Sequence, residues 1–154
     1  MKVKGKVIVV TGAGNGMGRE ISLNLLNKGA KVIGLDINFD GLKKTQELAG
    51  DKGQFIKLMQ LDITNREAVE QTAEDAVQLF GAVDGIINNA GIIQDFVPVS
   101  KMEYRTIERV MNINFYGTLY MVKSFLPHLL TRPEAHIVNV SSMGAFAPVP
   151  GQTF

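Results

Sequence analysis

The 154-residue chain contains no cysteine, which rules out disulfides, thiolate-bound metals and a cysteine nucleophile, and suits a cytoplasmic protein. Its two histidines, His128 and His136, are too few and too isolated to build a metal centre, so no metal is expected. Neither sign of charge dominates. Sixteen Lys and Arg stand against 15 Asp and Glu, a formal charge of +1, and no basic run offers a footprint for nucleic acid. No apolar stretch approaches the ~20 residues of a membrane span. Met1-Lys2-Val3-Lys4 resembles the start of a signal peptide, yet the apolar run from Val7 to Val10 is too short and leads straight into Thr11-Gly12. What is present is an ordinary globular composition, 45% apolar and 20% charged, at a length that predicts one domain over 1–154 with a real core.

Four glycines fall within eight residues, in Thr11-Gly12-Ala13-Gly14-Asn15-Gly16-Met17-Gly18. The run lies between an apolar strand, Lys6 to Val10, and a helix that starts near Met17, carries Ile21, Leu23, Leu25 and Leu26, and stops at Gly29. Glycines at such a junction let the backbone turn tightly and approach a phosphate, while the helix N-terminus offers free N–H groups and a positive dipole end. A nucleotide or dinucleotide is the ligand class. The run is no Walker loop, since Arg19-Glu20 follows Gly18, and Met17 breaks G-x-G-x-x-G spacing counted from Gly12. It fits T-G-x-x-x-G-x-G at Thr11, Gly12, Gly16 and Gly18.

Strand and helix patterns then alternate. Strands are predicted over Ala30–Asp36, Gln54–Leu61, Val83–Asn88 and Ala135–Val140, and helices over Phe39–Leu48 and from a capping box at Thr64-Asn65-Arg66-Glu67 to Gly81. A second box, Ser100-Lys101-Met102-Glu103, predicts the longest helix, Lys101 to Leu130, with Pro127 kinking or shortening its last turn. Five strands with four intervening helices imply a doubly wound, Rossmann-like parallel sheet with helices on both faces. Ligands of such sheets bind beyond the carboxyl ends of the strands. There stand Thr11 to Gly18, Asp36, Asp62, Asn89 to Gly91, and Ser141 with Ser142. Asp36, about 20 residues past the glycine run, is placed to accept hydrogen bonds from the 2′- and 3′-hydroxyls of a ribose, and with no basic neighbour at Asn15, Ile37 or Asn38 it favours NAD over NADP.

These motifs, in this order, resemble the short-chain dehydrogenase/reductase family over nearly the whole chain: the glycine run, Asn88-Asn89-Ala90-Gly91, Asp62, Asn114-Phe115-Tyr116-Gly117 and Asn139-Val140-Ser141-Ser142. The resemblance implies hydride transfer between nicotinamide and an alcohol or carbonyl carbon of a small molecule. It assigns Ser142 to the substrate oxygen (Ser141 as second choice) and Asn114 to a water of the proton relay (Asn112 as second choice). Its cofactor set is Thr11, Gly12, Asn15, Gly16, Met17, Gly18, Asp36, Ile37, Asp62, Ile63, Asn89, Ala90 and Gly91.

The family's acid/base Tyr, with a Lys four residues on, would fall at the first position beyond Phe154. Tyr104, Tyr116 and Tyr120 lie on the long helix without such a Lys. A phenol of pKa about 10 needs that cation to act near neutrality. The expectation is therefore an incomplete catalytic domain, inactive as it stands. It is also expected to associate into a homo-oligomer, through the open edge at Ile137–Val140 or the helix from Lys101 to Leu130. Phe146, Val149 and Ile92-Ile93 suggest an apolar pocket wall. The rival readings are a non-catalytic nucleotide-binding module and a methyltransferase-like fold, the latter opposed by Asn88–Gly91 and Ser142.

Overall fold

All five residues of Val7–Thr11 (β1) and the middle four of Lys31–Asp36 (β2) are buried, as strands covered on both faces must be. The computed structural model describes residues 1–147. Val149 lies outside them. Strands β3 (Ile56–Gln60), β4 (Gly85–Asn88) and β5 (His136–Asn139) join the first two in one parallel sheet of order β3-β2-β1-β4-β5. Register pairs Val9 with Ile33 on one side and with Ile86 on the other.

Alternation along the strands sends side chains to two cores. Val7, Val9, Ile33 and Leu35 pack beneath α3 (Arg66–Phe80) and α5 (Thr118–Leu130). Ile8, Val10 and Val32 pack beneath α1 (Gly16–Asn27) and α2 (Phe39–Leu48). The doubly wound, Rossmann-like sheet is therefore the fold. α5 seats Met121, Phe125 and Leu129, one turn apart, on the first core. Burying a side chain such as Phe125 contributes about 1.5–3 kcal/mol. No described helix is long and apolar enough to cross a membrane.

Three local expectations need correction. The cap of α3 is Asn65, whose side chain accepts from the Ala68 N–H; Thr64 instead donates its hydroxyl to Asp62 (2.8 Å). Ser100 caps nothing. It lies in a 3-10 turn, Val99–Lys101, and α4 (Tyr104–Met111) starts after Glu103, whose carboxylate pairs with Arg105. The long helix is interrupted by a π-helical segment, Asn112–Gly117, between α4 and α5. Pro127 lies inside α5, which ends at the expected Leu130.

At the amino ends of the strands, Asp84 is 3% exposed. Its Oδ2 accepts from the Val7 N–H (2.9 Å), and its Oδ1 accepts from Arg132 Nε (3.0 Å) and Lys6 Nζ (3.5 Å). Burial alone would raise this carboxyl. The Val7 N–H and the Arg132 and Lys6 charges outweigh it and hold the group below the ordinary aspartate value. Its contribution to stability is thus complete above the unfolded value of about 3.9 and is lost as pH falls through the lower folded value. Asp84→Asn should cost about 1.5–3 kcal/mol at pH 7. In urea titrations the deficit should shrink below pH about 3.9; a pH-independent deficit would refute the ionic account.

Candidate functional site

The strand order reverses between β1 and β4: the chain runs outward from β1 to β2 and β3, then returns to β4 on the other side. Loops leaving β1 and β4 therefore part in opposite directions and open a crevice. Thr11 closes its floor. The buried Thr11 Oγ1 accepts from the Asn89 and Ala90 N–H groups, each at 3.0 Å, and Asn89 Nδ2 donates to the Thr11 carbonyl (3.0 Å).

Gly12 has φ +69°, and a Cβ there would come within 2.9 Å of Asn89 Nδ2. A Cβ on Gly18 would come within 2.0 Å of the Gly12 carbonyl oxygen, so only glycine lets α1 start this close to β1. The end of α1 is also left open. Asn38 and Asn65 cap α2 and α3 through their side chains, whereas Asn15 makes no side-chain bond to α1 and no acidic residue stands in its first turn. Around Gly16 nothing lies within 4 Å of where a Cβ would be. Unfilled N–H donors beside open space are what a phosphate group requires.

Asp36 lies at the far end of the same crevice. Its Oδ2 accepts from the Gly14 N–H (2.8 Å) and its Oδ1 from the Asn38 N–H (2.9 Å). Arg19 grips the loop from the other side, donating to the carbonyls of Gly14 and Gly41 and to Thr45 Oγ1 (3.1 Å). The Gly14 peptide is thus held at both polar atoms.

A cleft of about 330 Å³ joins Gly12, Asn15, Asp36, Ile37, Asp62, Ile63, Asn89, Ala90 and Gly91. Nine of the sequence-predicted positions therefore meet in one space. Thr11, Gly16 and Gly18 shape the loop without lining the cleft, and Met17, 66% exposed, borders a broader depression on the outer face of α1. The sequence reading missed Arg109 and Ile113, which line the cleft from α4 and the π segment. Arg19 was legible only as the residue that excludes a Walker loop. No sequence signal shows that α2 folds against it.

Asn114 lies within the π segment, a kind of irregularity frequent at functional sites. Its Oδ1 accepts from the Ile92 N–H (2.9 Å) and its Nδ2 donates to the Ile92 carbonyl (2.8 Å), pinning the loop that follows β4. The two bonds fix the orientation of the side chain. Ser142 is exposed beyond β5, and its Oγ accepts from the Gly144 N–H (3.2 Å). Its hydroxyl proton has no acceptor among the described residues. Phe146 is 84% exposed, whereas Ile92 and Ile93 line a space of about 490 Å³ beside α4.

Gly18→Ala should force α1 from β1, since the obstruction is backbone; overpacking of this kind costs about 1–3 kcal/mol. A lower melting temperature and loss of NADH binding in a fluorescence titration are expected. An unchanged affinity would show that the close approach is not needed.

Residues 6–154 match the short chain dehydrogenase family. The chain is 44% identical over 150 residues to SadH of Mycobacterium tuberculosis, a protein named as an oxidoreductase, covering 97% of this chain and 54% of SadH. The crystal structure of carveol dehydrogenase from Mycobacterium avium in complex with NAD superposes with a TM-score of 0.92 at 29% identity, over 98% of this chain and 59% of that one. A short chain dehydrogenase from Shigella flexneri complexed with NADP gives 0.91 at 27% identity, over 98% and 65%. The chain thus spans about half the length of the curated relative it matches. On the strand order, the glycine junction and these likenesses together, the chain belongs to the short-chain dehydrogenase/reductase family.

Proposed function

We propose that this chain is the cofactor-binding portion of a cytoplasmic NAD-dependent oxidoreductase acting on an alcohol or carbonyl carbon of a small molecule. What supports the choice of NAD is Asp36. Its carboxylate shares a cleft with the uncapped start of α1, and a 2′-phosphate placed beside it would meet like charge. Arg19, the nearest cation by its bonds, is spent on Gly14, Gly41 and Thr45. The solved relatives include one with NAD and one with NADP, so the carboxylate carries the discrimination.

A bound nicotinamide would supply the hydride or accept it. The open α1 N–H groups would hold the pyrophosphate, Asp36 the ribose hydroxyls, and Asp62 with Ile63 the adenine side. Asp62 Oδ1 accepts from the Thr64 N–H and hydroxyl, which fixes the carboxylate at the cleft wall. Ser142 would donate its hydroxyl proton to the substrate oxygen. The Asn114 side chain, bonded twice to Ile92, would act as a positioning group for the loop after Gly91, and Asn114 would support a water of the proton relay. The proton step needs a Tyr with a Lys four residues on, a pairing that none of Tyr104, Tyr116 and Tyr120 makes, which favours the second reading, binding without turnover, for this stretch on its own. Association is proposed through the apolar surface of the π segment and α5, where Phe115 is 54% and Leu126 39% exposed, or through β5, where Val138 is 45% exposed.

Calorimetry should give tighter binding of NADH than of NADPH by at least about tenfold, or ~1.4 kcal/mol. Asp36→Ala should lose most of that preference; equal affinities in the parent chain would remove the basis for NAD. Absorbance of reduced nicotinamide should not change with any ketone added, and turnover would show that an acid/base other than Tyr-x-x-x-Lys is present. Light scattering should report a species larger than one chain.

A further inference from the structure

Thr45 on α2 is fully buried, and its hydroxyl ties the helix to the back of the glycine loop. Its Oγ1 accepts from Arg19 Nε (3.1 Å) and donates to the Ala13 carbonyl (2.8 Å), with the Gly41 carbonyl as its alternative acceptor (3.1 Å). The N–H of that same Ala13–Gly14 peptide donates to Asp36 Oδ2 (2.8 Å). This peptide is therefore held at its oxygen by α2 and at its nitrogen by the end of β2. α2 stands so close that a Cβ on Gly41 would lie 2.8 Å from the Gly14 oxygen.

The next peptide, Gly14–Asn15, is held on one side only. Its carbonyl accepts from Arg19 Nη2, while its N–H, that of Asn15, has no hydrogen-bond partner among the described residues. A trans peptide is planar and points its C=O and N–H in opposite directions. With the carbonyl drawn back to Arg19, the Asn15 N–H points away from it, and Asn15 is one of the residues lining the nucleotide cleft. A guanidinium on the carbonyl oxygen also polarises the peptide, which makes the N–H a stronger donor. Arg19 Nε and Nη2 belong to one rigid plane, so the bond to Thr45 fixes the direction of the bond to Gly14.

We propose that Arg19 and Thr45 are positioning residues for a phosphate of the bound nucleotide, acting through the Gly14–Asn15 peptide. Neither lines the cleft, so their effect passes through the loop. Arg19 turns the Asn15 N–H toward the anion and sets a half-buried positive charge behind it. Thr45 holds Arg19 in that pose from α2. An anion accepted by this N–H requires no turn of the backbone, which lowers the entropy lost on binding. The inference rests on the nucleotide reading of the cleft and holds for either nicotinamide cofactor.

Adenosine, ADP and NADH differ in their phosphates and serve as probes in calorimetric titrations of the 154-residue chain. Arg19→Gln should weaken ADP and NADH about tenfold while leaving adenosine within about twofold. Arg19→Lys keeps the charge without the planar fork and should recover only part of the loss. Thr45→Val should also weaken ADP, and Thr45→Ser, which restores the hydroxyl, should return it to the parent affinity. In ¹⁵N spectra ADP should shift the Asn15 backbone amide of the parent chain, and shift it less in Arg19→Gln. Should the variants misfold, the parent spectrum still decides, since an Asn15 amide that ignores ADP overturns the proposal. Equal losses for adenosine and ADP would reveal a collapsed cleft, and unchanged ADP affinity in Arg19→Gln and Thr45→Val would reveal a purely structural contact; either result overturns it. A parent chain that binds none of the three ligands overturns the nucleotide reading and this inference with it.

Discussion

The Thr11 hydroxyl holds together two loops that the topology drives apart. Where strand order reverses, nothing in the sheet ladder fixes the turn leaving β1 relative to the turn leaving β4. Both acceptor positions of Thr11 Oγ1 are taken by N–H groups of the second loop, and the Asn89 side chain returns a bond to the Thr11 carbonyl. The contact is buried, so each bond left unmade would leave a desolvated polar group without compensation. The shape of the cleft rests on this stitch, because Gly12 on one wall and Asn89 to Gly91 on the other are its immediate neighbours.

The second constraint is steric. Gly12 and Gly18 bring backbone to within distances that a methyl group would prevent, and the Gly14 peptide is clasped between Asp36 and Arg19. The loop thus combines residues chosen for having no side chain with two charged groups that hold its amide and carbonyl. Such a loop is preorganised: its N–H groups already point at open space, so binding an anion there loses little conformational entropy. Asp36 serves as clasp, and under the proposed function it would also face the ribose. That double use would tie the stiffness of the loop to the choice of cofactor.

A third element governs the neighbourhood of the cleft. The π segment separates α4 from α5 and brings Asn114 to Ile92, so the loop after Gly91 is anchored by one bidentate side chain. The anchored loop turns Gln94 inward and Ile93 outward. A polar chamber beside the nucleotide cleft follows from that orientation, with Arg109 common to both spaces.

Much of this was legible in the residues. Apolar runs separated by helical patterns define a doubly wound sheet, because strands covered on both faces have to be apolar at nearly every position. The glycine run, Asp36, Asp62 and Asn89 to Gly91 mark the site, since parallel crossovers bring every strand's carboxyl end to one edge of the sheet. The capping boxes misled: Thr64 and Ser100 have the right spacing, but Asp62 claims the first and a 3-10 turn the second. Local patterns list candidate bonds and cannot rank them against distant partners. The sequence by itself determined the fold class, the ligand class and the strand ends that meet, for these depend on periodicity and residue type. Only the tertiary structure decided that Asn114 bonds Ile92, that Arg19 clasps Gly14, and that Gln94 is buried without a hydrogen-bond partner among the described residues. Those facts depend on which groups, far apart in the chain, come within about 3 Å of each other or fail to.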